Sequence, residues 1–211
     1  PTLCYEPPSH DAPDLPAVTI DNRSGLPLEP DALPEAALAL DRAQEGPLVL
    51  IIHTHATEAY TGSPDFHSTD PEKSVVRVGQ AIADALNARG ILDVHRDSLE
   101  TDDGTQLALR ADVDGEACAK LLLVMGSNGS GLEHPGWRQN LANAARLQAL
   151  CEQRTPGLMR DLLLRASRYN QHLTPRSMLL EVGTAGNSLE EALRSADIFS
   201  QALADCLLGK A

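Results

Sequence analysis

A single α/β domain, with a mostly parallel, doubly wound sheet flanked by helices, is the fold class this sequence predicts. Three observations carry the prediction. Short apolar runs lack alternation, as strands buried on both faces of a parallel sheet require. Capping signatures open helical stretches between them. The two kinds of segment then alternate along the chain. At 211 residues and 42% hydrophobic content, there is apolar surface for one core of ordinary composition.

Residues 1–16 hold Pro7, Pro8, Pro13 and Pro16 among polar side chains and read as an extended arm. Ala17 to Ile20 is a short strand, followed by a turn at Asn22-Arg23-Ser24-Gly25. With the Pro-punctuated stretch after it, this forms an arm and lead-in over 1–45, ahead of the domain over 46–211 that carries the chemistry. Leu48 to Ile52 is the first buried strand and ends at His53. Thr69 and Glu72 have capping-box spacing around Pro71, and Val75, Val78, Ile82 and Leu86 give the helix they open its apolar stripe. Ile91 to Val94, ending at His95, and Leu121 to Met125, ending at Gly126, are the next two strands. Arg138 to Glu152 is a helix with Leu141, Ala145 and Leu150 on its buried side. Ser177 to Leu180 is the fourth buried strand and reaches Glu181. Ser188 and Glu191 form a second capping box, opening a C-terminal helix along Leu189, Leu193, Ala196, Phe199, Leu203 and Leu207.

Composition removes several classes of function. Thirty acidic residues against 17 basic ones give a net charge of −13, which repels a phosphate backbone, so no nucleic-acid partner is expected. No apolar run of membrane-spanning length and no basic, then apolar, leader is present. The chain therefore reads as a soluble fragment, any anchor or signal lying outside it. Cys4, Cys118, Cys151 and Cys206 are scattered without a C-x-x-C pair and read as buried or neutral thiols, which leaves the redox compartment open.

In open parallel sheets, ligands bind beyond the carboxyl ends of the strands. Three apolar runs deliver a titratable side chain there, namely His53, His95 and Glu181, and Glu58 follows five residues after His53. Two imidazoles and two carboxylates in one crevice suit a catalytic zinc: three ligands leave a fourth position for water, and the spare carboxylate serves as general base. A histidine at a strand end is equally a hydrogen-bonded core residue, so at this point both readings of His53 and His95 stand. His55 lies two residues from His53, a spacing that allows shared ligation only in extended chain, and a substrate or supporting role is assigned to it. Glu72 competes with Glu58 as carboxylate ligand, although a capping box already explains it. An unpaired Glu181 at the end of a buried strand is costly without a purpose. There is no G-x-S-x-G and no phosphate-cradling glycine loop.

The segment Leu50-Ile51-Ile52-His53-Thr54-His55-Ala56-Thr57-Glu58-Ala59-Tyr60 resembles the His-Thr-His…Glu-x-Tyr motif of the stage II sporulation protein P family. Further matches come in order: Ser74 to Gly79, Leu92-Asp93-Val94-His95-Arg96-Asp97, Glu133 to Leu141 with its His134-Pro135-Gly136-Trp137, Pro156 to Arg160, Arg168 to Pro175, and Leu180-Glu181-Val182-Gly183 with Gly186-Asn187. The resemblance implies a zinc-dependent N-acetylmuramoyl-L-alanine amidase, with added peptide-cleaving activity, that acts on peptidoglycan of the sporulation septum during engulfment. It implies a fold similar to the zinc amidases of bacterial cell walls. Carried over residue by residue, it makes His53 and His95 the histidine ligands and Glu181 the catalytic carboxylate. Glu58 stands in the family's own motif, whereas the wider amidases place their ligand glutamate at the start of the next helix, where Glu72 lies. Glu58 is the expected third ligand. His55, His134 and Asn170 are expected to touch substrate. An extracytoplasmic location, an N-terminal membrane anchor outside this chain, and partnership with sporulation proteins D and M are also implied.

One departure concerns Gly90 and Ile91. The family has a substantial segment with its own strand here, while this chain passes almost directly from helix to strand, with fewer residues than such a connection needs. A segment between them is expected to be missing. Two other functions fit the same inventory: a zinc endopeptidase of stem peptides, and a wall-binding scaffold without activity.

Overall fold

The structure is a computed structural model that describes residues 1–7, 15–39, 49–85 and 91–210. Its strands are β1 (Thr2–Tyr5), β2 (Val18–Arg23), β3 (Leu50–Ile52), β4 (Ile91–Asp97), β5 (Arg110–Val113), β6 (Glu116–Ala119), β7 (Leu121–Met125), β8 (Leu162–Arg165) and β9 (Ser177–Thr184). The helices are α1 (Val75–Ala85), α2 (Trp137–Arg154) and α3 (Leu189–Leu207). Leu48, Leu86 and the Gly90–Ile91 junction lie outside the described residues.

Seven strands form one sheet in the order β1-β2-β8-β7-β9-β4-β3. Within β3-β4-β9 and within β7-β8-β2 the neighbours are parallel, and the two groups meet antiparallel at β7/β9. The carboxyl ends of β3, β4 and β9 therefore lie together at one edge. The expected mixed α/β, mostly parallel architecture is what the chain adopts. The proline-rich arm and lead-in supply β1 and β2 to this same sheet, with β1 pairing antiparallel to β2.

Register decides what each face of the sheet carries. Leu92 pairs with Met178, Val94 with Leu180, and Leu121 with Val182; these side chains join Leu123, Met125, Leu162 and Leu164 in the main core, together with the buried sides of α1, α2 and α3. Alternate positions point the opposite way. There Leu122, Val124 and Leu179 form a second, small cluster, with Leu163 and Tyr169 against it. All three described α-helices share the first face, α1 packing on α3 and α3 on α2. Double winding would put helices on both faces; among the described residues, the second face is open, and the site lies on it.

Local chemistry explains the departures from expectation. Leu48 to Ile52 was expected to be buried on both faces, yet among the described residues β3 is the last strand of the sheet, with β4 as its one neighbour, and Leu50 is 57% exposed. The Thr69/Glu72 capping box does not form. Asp70 accepts from the Glu72 amide instead, capping a short 3-10 turn over Pro71–Lys73, and α1 begins at Val75. The Ser188/Glu191 box on α3 is present with both reciprocal bonds. The β5/β6 hairpin turns at Asp114-Gly115, both at positive φ, and packs against α3. Of the cysteines, Cys118, Cys151 and Cys206 are buried and Cys4 is exposed, all as free thiols. None of the described helices is long and apolar enough to cross a membrane.

Candidate metal centre

Strand register positions the first part of the site. His95 of β4 is the Cα partner of Glu181 of β9, and Asp93 is the partner of Leu179. The carboxylates of Asp93 and Glu181 and the imidazole of His95 therefore all face the open side of the sheet. Just beyond, the register shifts between His95 and Asp97. Gly183 sits at that bulge with φ 73°, and a Cβ on it would come within 2.8 Å of the Ala119 Cβ, so only glycine fits.

The loop after β3 supplies the rest. Continuing the β3/β4 pairing places His53 beside Val94, on the helix face, and Thr54 beside His95, on the open face. The contacts agree. Nδ1 of His53 lies 2.9 Å from the Val94 carbonyl, and its ring lies against α1, where a Cβ on Gly79 would meet Nε2 at 2.3 Å. Thr54 Oγ1 lies 2.8 Å from His95 Nε2. The chain then turns, the Glu58 amide donating to the His55 carbonyl at 3.1 Å, and this swings His55 and Glu58 over the open face. Tyr60 fixes the turn: its ring is 1% exposed and its hydroxyl donates to Val182 O at 3.0 Å.

His55, Glu58 and His95 can each present a donor atom within 4.8 Å of the others. Glu58 lies between the two imidazoles, Oε1 at 3.1 Å from His55 Nδ1 and Oε2 at 3.4 Å from His95 Nδ1. Donors sharing a tetrahedral zinc at bonds of about 2.0–2.1 Å are about 3.4 Å apart; the two Glu58 contacts are near that spacing, and the set as a whole would have to close from within 4.8 Å. The candidate cluster differs from the expected ligand set at one position within His-Thr-His. His55, not His53, stands with Glu58 and His95, because strand parity turns His53 to the helix face. Glu72 is exposed, contacts Arg77 at 3.5 Å and takes no part in the cluster.

Each group is tuned by what it touches. Burial lowers the proton affinity of His95, but Asp93 and Glu58 on either side outweigh it and push the imidazole up to about 10. Asp93 Oδ1 lies 3.0 Å from His95 Nε2, and burial of Asp93 is outweighed by its bonds to His95 and Thr54, which hold it below the ordinary carboxylate value. An ionised carboxylate only accepts, so Nε2 carries the proton and Nδ1 is the atom free for a metal, the usual carboxylate–histidine–metal relay. Glu58 is likewise held low, its burial offset by His95 and by the Arg96 amide at 2.9 Å. His53 is held low by burial, despite its bond to Val94. Glu181 goes the other way. Burial, with Asp97 adding repulsion, pushes it up to about 8, and its Oε2 has no hydrogen-bond partner among the described residues.

His55, Glu58, Asp93, His95 and Glu181 line one cleft of about 530 Å³, together with Thr54, Tyr169 and Asn170, while His53 does not. Asn170 is thus at the cleft, with Tyr169 and Asn170 both in the left-handed region at φ 48° and 58°. His134 is not. It is 1% exposed, its ring nitrogens have no hydrogen-bond partner among the described residues, and burial beside His172 pulls it down to about 4. Asp93, Thr54 and Tyr169 are site residues that motif reading did not single out. The alternation Leu92/Asp93/Val94/His95 was the available signal for Asp93.

A curated relative, stage II sporulation protein P of Bacillus subtilis (strain 168), is 34% identical over 143 residues, 64% of this chain; the match covers 33% of that protein, so the chain spans about a third of its length. Among solved structures, the N-acetylmuramoyl-L-alanine amidase AmiC2 of Nostoc punctiforme superposes over 79% of this chain and 98% of its own, at 13% identity and a TM-score of 0.40. The family model for stage II sporulation protein P matches in two segments, 19–92 and 88–204, and since these take in most of the residues, the site included, the chain belongs to the stage II sporulation protein P family.

Proposed function

We propose that this chain is the hydrolytic domain of a peptidoglycan amidase, cleaving the bond between the lactyl group of N-acetylmuramic acid and L-alanine, and that its metal is zinc. The observation that carries the reading is the convergence of His55, Glu58 and His95 in one cleft beside a half-buried Glu181, whose enclosed Oε2 has no hydrogen-bond partner among the described residues. A His/His/carboxylate set with an open fourth position is the zinc hydrolase arrangement. Family membership supports the cell-wall substrate and the setting in sporulation.

A bound zinc ion supplies polarisation of the amide carbonyl and acidification of water. The chain's own residues do the remainder. Asp93 and Thr54 hold the His95 ring so that Nδ1 faces the cleft. Glu58 brings negative charge between the imidazoles, which attracts a divalent cation and, without one, a proton on His95. Glu181 takes the proton of the attacking water and passes it to the leaving L-alanine nitrogen. Its proton affinity is raised to about 8, in the range where a carboxylate both accepts and returns a proton near neutral pH. Tyr169 and Asn170 border the substrate.

Replacing Glu181 by Gln keeps its shape and removes its proton chemistry. Zinc content should stay stoichiometric while cleavage of purified muropeptides falls by about 10²–10⁴-fold. Undiminished activity would end the assignment. Mass spectrometry of wild-type digests should show free lactyl ends. New amino-acid ends would make the enzyme an endopeptidase, and zinc with no cleavage would leave a wall-binding module.

A further inference from the structure

We propose that the open sheet face beyond Glu181 is a groove for an acidic peptide, gripping its carboxylates on the leaving side of the scissile bond. The inference rests on the amidase reading above and names the part of the substrate that this face takes. A second cleft, of about 360 Å³, shares Asp97, Tyr169, Leu179 and Glu181 with the metal cleft, so the two are continuous. Its far end is formed by Arg23 and Arg165. These two are Cα partners across β2 and β8, while Leu163 pairs with Val124 and Val124 with Leu179. The whole path, from guanidiniums across an apolar floor to the catalytic carboxylate, therefore lies on one face.

Direction follows from chemistry. The metal donors stand on one side of Glu181, and Glu181 protonates the leaving nitrogen. What continues past Glu181, away from His95, is accordingly the amine product, a peptide, and the acyl sugar stays at the metal end. Distance sets the length. Arg165 is two strands and four residues removed from Glu181, about 16 Å between backbones at ordinary strand spacings. Allowing for both side chains, roughly three extended residues fit between. Charge sets the composition. In a chain of net charge −13, guanidiniums gathered in one cleft are unexpected unless something anionic meets them. Arg23 pairs with Asp21 and Arg160 with Asp97, each at 2.7 Å. Arg165 is in no ion pair among the described residues, and guanidinium is the side chain best shaped to take a carboxylate.

The test uses zinc-loaded protein, a synthetic muramyl tetrapeptide, and the same compound with its peptide carboxylates converted to amides. Arg165→Gln should raise KM for the free acid about tenfold, the worth of one charge-assisted hydrogen bond, with kcat within about twofold. Wild-type protein should lose the same factor on the amide, the Arg165→Gln variant should not tell the two compounds apart, and Arg165→Lys should recover part of the loss. An unchanged KM in Arg165→Gln, or equal wild-type KM for both compounds, overturns the groove and leaves the amidase reading intact. If wild-type protein cleaves neither, the amidase reading fails. Calorimetry with the free tetrapeptide then decides the groove by itself: binding weakened about tenfold in Arg165→Gln supports it, and equal binding overturns it.

Discussion

His53 and His55 differ by two positions and have the same side chain, yet the backbone gives them opposite work. His53 continues the parity of β3 and spends Nδ1 on Val94. His55 lies within the turn over 54–57 and is the one beside Glu58 and His95. Replacing His55 with Ala should cut zinc affinity by more than the roughly 10–100-fold that an orienting partner is worth. His53→Ala should leave zinc bound and lower the midpoint of thermal unfolding. Metal analysis after dialysis separates them, and zinc lost from His53→Ala but kept by His55→Ala would reverse the assignment. Glu181 makes a second prediction. Its folded-state proton affinity, about 8, lies above its ordinary value of 4.5, so the protonated form is the one compatible with burial. That contribution is complete below about pH 4.5 and is lost as pH rises through about 8. Metal-free wild-type protein should match Glu181→Gln in unfolding midpoint near pH 4.5 and fall below it by at least about 5 °C at pH 9. Parallel curves across that range would show that burial does not shift Glu181.

Among the elements, α1 shows how the helix layer and the site's loop constrain one another. Gly79 is in the middle of α1, where Ala is ordinarily worth about 1 kcal/mol more than Gly. Here a Cβ would meet His53 Nε2 at 2.3 Å and Ile51 Cγ2 at 3.2 Å, so Gly79→Ala should instead destabilise by about 1–3 kcal/mol, as overpacking does. In a His53→Ala background the space exists and the sign should revert toward the helix preference. A denaturant double-mutant cycle measures this, and additive effects would mean that the two side chains do not collide. Elements were unequally legible in the sequence. The runs at Leu121 to Met125 and Ser177 to Leu180 and the Ser188/Glu191 box are visible because burial and capping are local. β8 is not legible, for Leu162 to Arg165 is four residues long and its strand is completed by β7 and β2 on either side. The Asp114-Gly115 turn is a local hairpin signal. For the site, Glu58, His95 and Glu181 are recognisable at strand ends and in motifs. The choice of His55 over His53 depends on where β3 stops, and the exclusion of His134 depends on packing around it, both of which are tertiary facts.

At the scale of the whole molecule, the candidate centre joins parts that are otherwise held separately. His95 belongs to the central sheet, whereas His55 and Glu58 belong to the turn after edge strand β3, which among the described residues has β4 as its one neighbour. A shared ion would tie that edge loop to the sheet, and it would add two positive charges to a chain of net charge −13. It would also displace the proton that Asp93 and Glu58 hold on His95, so binding should release protons and strengthen as pH rises. Because the unfolded chain has no such preformed cluster, the binding free energy becomes folding free energy. At free zinc one hundred times its measured Kd, that is about 2.7 kcal/mol, or about 5–10 °C in the unfolding midpoint for a domain of this size. The shift should reverse with a chelator and be absent in His95→Ala. An equal shift in that variant would mean that the ion binds elsewhere, and no shift in wild-type protein under the same saturation would mean that these three side chains do not close on zinc.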